Sequence, residues 1–89
     1  MHAVLVKVSI SDVERSVKEL RETVVPRISQ SPGFVAGYWT RSEDGSNGRS
    51  MLVFESEEAA RGAAERIGAN VPEGVTFESA EVREVVANA

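Results

Sequence analysis

Each segment of this 89-residue chain that can form a β-strand carries large apolar side chains at both parities, yet only two segments have helical spacing. Side chains alternate between the two faces of a strand. A sheet built from these segments is therefore apolar on both faces, and two short helices cover only one.

In "HAVLVKVSI" (residues 2–10) one parity is His2, Val4, Val6, Val8 and Ile10, and the other is Ala3, Leu5, Lys7 and Ser9. In "FVAGYWTR" (34–41), Phe34, Ala36, Tyr38 and Thr40 oppose Val35, Gly37, Trp39 and Arg41. The turn "EDGSNG" (43–48) offers both Asp-Gly and Asn-Gly and returns the chain through "RSMLVFE" (49–55), a β-hairpin. There Met51 and Val53 oppose Leu52 and Phe54. The last extended stretch, "VTFESAEVREVV" (75–86), moves its apolar residues from odd parity (Val75, Phe77) to even (Ala80, Val82, Val86). That switch predicts a bulge or bend near Ser79.

The first helix begins in "SDVERSVKELRETVV", with Ser11 and Glu14 in capping-box spacing. Val13, Val17, Leu20, Val24 and Ile28 form its apolar stripe. Pro26 should kink the helix or end its regular part, and "SPG" at 31–33 stops it. Ser56 caps the second helix, Glu57 and Glu58 suit its first turn, and Ala59, Ala60, Ala63, Ala64 and Ile67 form a thin apolar stripe. Gly68 suits its end, and "PEG" at 72–74 is a turn. The order βαββαβ with right-handed crossovers predicts a single α+β domain over residues 1–89. It is the ferredoxin-like plan of a four-stranded antiparallel sheet with two helices on one face.

The second face needs a cover. Tyr38 and Trp39, adjacent in one strand, must point to opposite faces, and either phase of the hairpin leaves about five large apolar groups on the open side. Burying each fully is worth roughly 1.5–3 kcal/mol, and a patch of that size usually has a partner. The expectation is a homodimer with its sheets face to face.

Composition narrows the partners. With 10 Lys and Arg against 14 Asp and Glu, the net charge is -4. No basic stripe invites nucleic acid or an anionic membrane. No apolar run is long enough to span a bilayer, and the first ten residues read as a strand rather than a signal peptide. There is no cysteine and one histidine, so no thiolate or His-rich metal site is expected. The expected setting is cytoplasmic, with no cofactor and no metal.

The βαββαβ order, the kinked first helix leading into "SPGFVAGYW", the return through "RSMLVFESEEAA" and the terminal "VREVV" together resemble the dimeric α+β barrel proteins. The nearest branch is the antibiotic-biosynthesis-monooxygenase-like (ABM-like) group. The resemblance implies homodimers whose sheets build a shared barrel, with a pocket between sheet and helices in each subunit. It also implies, for some members, cofactor-independent oxygenation of quinols or polyketide-derived aromatics. Monooxygenase members place an Asn on the first strand, which this chain lacks. Haem-degrading members use a helical His, whereas the one His here is His2, at the start of a strand.

Two functional readings follow. One is a cofactor-independent monooxygenase acting on a small aromatic or hydrophobic molecule in an apolar pocket. The other is a non-catalytic ligand-binding or interaction module, a regulatory ligand-sensing subunit among its forms. Tyr38, through its hydroxyl, and His2, which titrates near neutrality, are the candidate catalytic residues. His2 has the competing expectation of a frayed terminus. Trp39 is a candidate ligand platform, or more commonly for such a side chain an anchor in the dimer core. Arg41 and Arg49 flank the hairpin turn and could hold an anionic group, with ordinary edge-strand charge the commoner reading, and Phe34 and Phe54 complete the candidate ligand contacts. Gly37 either makes room for a ligand or marks a bulge or close packing.

Overall fold

The computed structural model describes residues 1–89. In chain order the elements are β1 (His2–Ile10), α1 (Val13–Glu19), a π-helical turn (Leu20–Val24), α2 (Val25–Ser29), β2 (Phe34–Arg41), β3 (Asn47–Phe54), α3 (Glu57–Ala69) and β4 (Val75–Glu84). The sheet runs β2-β3-β1-β4 with every neighbouring pair antiparallel. This is the arrangement that the alternation of strand and helix segments dictates, and both helical runs lie on one face.

Local chemistry explains the element boundaries, with some corrections. The N-cap of α1 is Asp12 rather than Ser11, and its carboxylate accepts the Arg15 N–H at 3.1 Å. Ser11 is held outside the helix, where its N–H donates to the Gly74 carbonyl at 2.8 Å. Pro26 has no N–H, and its ring would collide with the carbonyl four residues back. The helix absorbs this in one wider turn, in which the Val25 N–H donates to the carbonyl of Leu20, five residues back. Pro26 then falls in the first turn of α2, where a missing donor costs least. The Ser56 side chain caps α3 by accepting the Ala59 N–H at 3.1 Å. Gly68 does not end that helix; it lies inside it, and a Cβ there would sit 3.6 Å from the Phe77 ring.

Two bulges set which side chains face the helices. In β2 the register slips between Phe34 and Ala36, so Val35 is the extra residue and Phe34 joins the face of Gly37 and Trp39 despite its opposite parity. In β4 the register slips where Lys7 pairs Ser79 and Val8 pairs Phe77, leaving Glu78 as the extra residue, next to the predicted site. Phe77 and Ala80, of unlike parity, thereby share the helix-covered face.

The compact core sits under α3. Val4, Val6, Leu52 and Phe54 of the central strands meet Ala60 and Ala63 of the helix. The small helical side chains let α3 lie close on the sheet. Phe34 closes the edge of this core, its ring edge-on to Phe54 at 5.8 Å between centroids.

The hairpin turn has its own lock. Gly45 adopts φ 75°, a conformation that glycine tolerates and other residues resist. The Asp44 carboxylate accepts from the Ser42 hydroxyl at 2.7 Å, the Ser46 N–H at 2.9 Å and the Ser46 hydroxyl at 2.7 Å. These bonds, the Ser46 N–H foremost, hold its pKa down from the ordinary 3.8 to about 2. A group with a depressed folded-state pKa stabilises the fold above its unfolded value and loses that effect as pH falls through its folded value. Asp44→Ala should therefore lower the urea midpoint at pH 6, and the gap to wild type should shrink as pH falls from about 4 to about 2. An equal gap at pH 6 and pH 2 would contradict this role.

On the face away from the helices, Tyr38, Met51 and Leu5 form one row across three strands, and Ala36, Val53 and Ala3 form the next. Tyr38 is 68% exposed, Val35 47% and Met51 44%. Thr40, Arg49 and Lys7 bound this apolar band on one side, and Glu81 and Arg83 of β4 bound it on another.

Candidate functional site

The two helical runs cover the sheet unequally. α3 packs on β1, β3 and β4, whereas in the first run it is α2 that packs closely, on β2. Where α1 and the π turn stand off, a cavity of about 500 Å³ opens between helices and sheet. Its floor includes Val8, Trp39 and Phe77, and its roof includes Val17, Leu20 and Val24. All six are half-buried. The apolar stripe of the first helix thus faces a cavity, not a closed core. The volume is in the range of small-molecule sites, about 300–1,000 Å³.

Of the sequence-predicted site residues, the cavity brings together two. Trp39 and Arg41 line it. Trp39 is on the helix-covered face, so it is not the anchor of an interface on the open face, the role expected to be the more common for it. Its ring lies over Gly37, where a Cβ would stand 3.0 Å from both the Trp39 ring and Leu52. Gly37 therefore serves close packing, and a side chain there would displace the indole.

The others lie elsewhere. Tyr38 projects from the opposite face of the sheet, so its hydroxyl does not reach the cavity. His2 is not frayed: it pairs with Phe54 and Glu84 in the sheet. Its Nε2 is 3.8 Å from a Glu57 carboxylate oxygen, and its Nδ1 is buried without a partner. It does not line the cavity. Phe54 is fully buried in the core with Phe34 against it, and neither lines the cavity. Parity alone could not separate these positions, because the Val35 bulge puts Phe34 and Trp39 on one face.

Three charged residues of the wall were not among the expected site residues: Arg21 on the π turn, Arg27 on α2 and Arg66 on the last turn of α3. Their signal was present in the spacing. Arg61 has Glu57 one turn before it and Glu65 one turn after, the pattern of a solvated helix face. Arg21, Arg27 and Arg66 have no Asp or Glu three or four positions away in either direction.

No protein-family model matches this chain, and no curated protein matches it. Solved structures do. A dimeric ferredoxin-like protein from an uncultured marine organism is 13% identical, with a TM-score of 0.66, covering 100% of this chain and 98% of its own. The fold is ferredoxin-like. A monooxygenase from the gene ActVA-Orf6 of Streptomyces coelicolor, solved with the ligand nanaomycin D, is 18% identical with a TM-score of 0.59, covering 99% and 92%. The second RRM domain of the yeast poly(U)-binding protein Pub1 is 16% identical with a TM-score of 0.61, covering 99% and 100%. At these identities the likeness is one of fold, which a monooxygenase and a domain of a poly(U)-binding protein share. No helix of the chain is long and apolar enough to cross a membrane.

Proposed function

We propose that this chain is an ABM-like ligand-binding protein that takes a small aromatic or hydrophobic molecule into the cavity between its helices and sheet, and that it works as a homodimer through its open sheet face. The observation that carries the reading is the cavity itself: about 500 Å³, apolar on floor and roof, with the single Trp of the chain in its wall. Small-molecule sites have this character: a concave, mostly apolar wall with a few polar groups at its margin.

The enzymatic form of this reading is cofactor-independent oxygenation of an activated phenol or quinol. A phenol and one dioxygen give a quinone and one water. One oxygen atom enters the ring, the other leaves as water, and the substrate supplies all four electrons. Neither Tyr38 nor His2 is placed to take the substrate proton within one subunit. The groups that are placed there are arginines, which favour the phenolate over the phenol by stabilising its charge. The non-catalytic form uses the same cavity and the same contacts without oxygen chemistry. An RNA-binding reading has less support. RRM domains stack bases on aromatic side chains of their sheet, and the central strands here present Ala3, Leu5, Met51 and Val53 on the open face.

Titration calorimetry with nanaomycin D, and oxygen uptake with a panel of quinols, test the two forms. Binding should weaken at least tenfold in Trp39→Ala, while Tyr38→Phe and His2→Ala should leave it within twofold of wild type. Oxygen uptake that depends on the protein supports the enzyme. Binding without uptake supports the module, and loss of binding in Tyr38→Phe with Trp39→Ala unaffected would overturn the placement of the site.

A further inference from the structure

The eight arginines of this chain divide in a way the fold alone does not require. Arg15 pairs with Glu73, Arg61 with Glu57 at 3.5 Å and Arg83 with Glu81 at 3.0 Å. These three lie off the cavity. Arg21, Arg27, Arg41 and Arg66 all line it, and none of them forms an ion pair. Arg49, also unpaired, belongs to the charged border of the open face.

The converse is as informative. The chain has 14 Asp and Glu and a net charge of -4, yet no carboxylate lines the cavity. An acidic protein has collected four uncompensated positive charges around one apolar space. The dipole of a helix C-terminus accounts in part for Arg27 and Arg66, each in a last helical turn. It accounts for neither Arg21, on the π turn, nor Arg41, at the end of β2, nor for the exclusion of every acid. The neutral polar groups of the wall, Thr40, Ser50 and Asn70 among them, do not neutralise this charge. Thr40 donates to the Arg49 carbonyl and Asn70 to the Arg66 carbonyl.

We infer that the natural ligand is an amphipathic anion: a flat apolar body that seats against Trp39, bearing a carboxylate held by the arginines at the rim. The planar guanidinium is suited to both duties, bidentate pairing with carboxylate and stacking on an aromatic face. The inference rests on the cavity being the binding site, and adds the charge of what enters it.

The test is titration calorimetry of the full chain with 2-naphthoate and with 2-naphthamide, which share shape and rings and differ in charge. Naphthoate should bind at least tenfold more tightly than the amide. Arg27→Gln and Arg66→Gln should each weaken naphthoate about fivefold, leave the amide within twofold, and together reduce the salt dependence of naphthoate binding. Arg61→Gln, at an ion-paired arginine off the cavity, should change neither. Equal affinity for the two compounds, with Trp39→Ala weakening both, would overturn the anion while leaving the cavity in place. No binding of either compound would overturn the cavity reading and the anion with it. Circular dichroism of each variant separates a binding loss from a folding loss.

Discussion

Phe54→Ala should cost about 3–5 kcal/mol of stability, whereas Leu20→Ala should cost about 1 kcal/mol or less. The two side chains are both large, apolar and on the helix-covered side of the sheet, so composition does not distinguish them. Phe54 is completely enclosed, between Val4 and Leu52 of the core and the Phe34 ring. Its removal leaves a void in close-packed surroundings, an effect of about 3–5 kcal/mol for Phe→Ala. Domains of this size have about 5–15 kcal/mol in total, and the core here is small. Leu20 is half-buried and already borders open space, so trimming it enlarges a cavity instead of creating one. Urea denaturation of both variants at matched protein concentration measures the difference, matched because assembly and folding are linked. Equal losses would mean that α1 closes on the sheet in solution and that the cavity is absent.

Met51→Arg should abolish self-association and leave the subunit folded. Met51 stands between Tyr38 and Leu5 in the most apolar row of the open face and is 44% exposed in the single chain. A guanidinium there is free in a monomer. In a face-to-face dimer it would be buried with Tyr38 and Leu5 beside it in the row; the carboxylate of that row, Glu81, is two strands away and pairs with Arg83 at 3.0 Å. A penalty of about 3 kcal/mol raises the dissociation constant roughly 100-fold, and a desolvated, unpaired charge costs at least that. Met51→Leu, which keeps volume and polarity, should remain dimeric. Size-exclusion chromatography with light scattering reads both. A Met51→Arg protein that stays dimeric would place the interface on another surface.

The fold was legible because each element had a local cause that tertiary packing did not override. The Ser56 cap, the glycine turns and the alternation of strand residues all act within a few positions. The parity switch after Phe77 announced the β4 bulge. The first helix was harder. Pro26 signalled a disturbance, but whether a proline kinks a helix, ends it or draws out a π turn depends on what lies beneath, and the π turn that precedes Pro26 lies over open space. That same open space is why the stripe from Val17 to Ile28 looked like a core-facing surface: a helix lining a cavity and a helix lining a core use the same residues.

The site was less legible than the fold for a related reason. The sequence showed that Tyr38 and Trp39 face opposite ways but not which way either faces. The phase was set by one extra residue, Val35, opposite Phe54. With that bulge, Trp39 and Arg41 turn toward the helices and Tyr38 turns away, so the aromatic with the reactive hydroxyl leaves the cavity. His2 has the parity of the covered face but begins β1 beside Glu57, beyond the reach of the cavity. The arginines were overlooked because charged residues on helices are ordinarily a solvated face. Their distinction was the acids that each lacked one turn away.

One imbalance runs through the molecule: helices on one face of the sheet, and an apolar band of Leu5, Met51, Val53 and Tyr38 on the other. Sedimentation equilibrium of the wild-type chain at micromolar concentration tests it directly. The expected result is a single species of twice the 9.6 kDa chain mass, unchanged by moderate salt because the contact is apolar. A single species of 9.6 kDa across that range would show that the band is content in water, and would contradict the account.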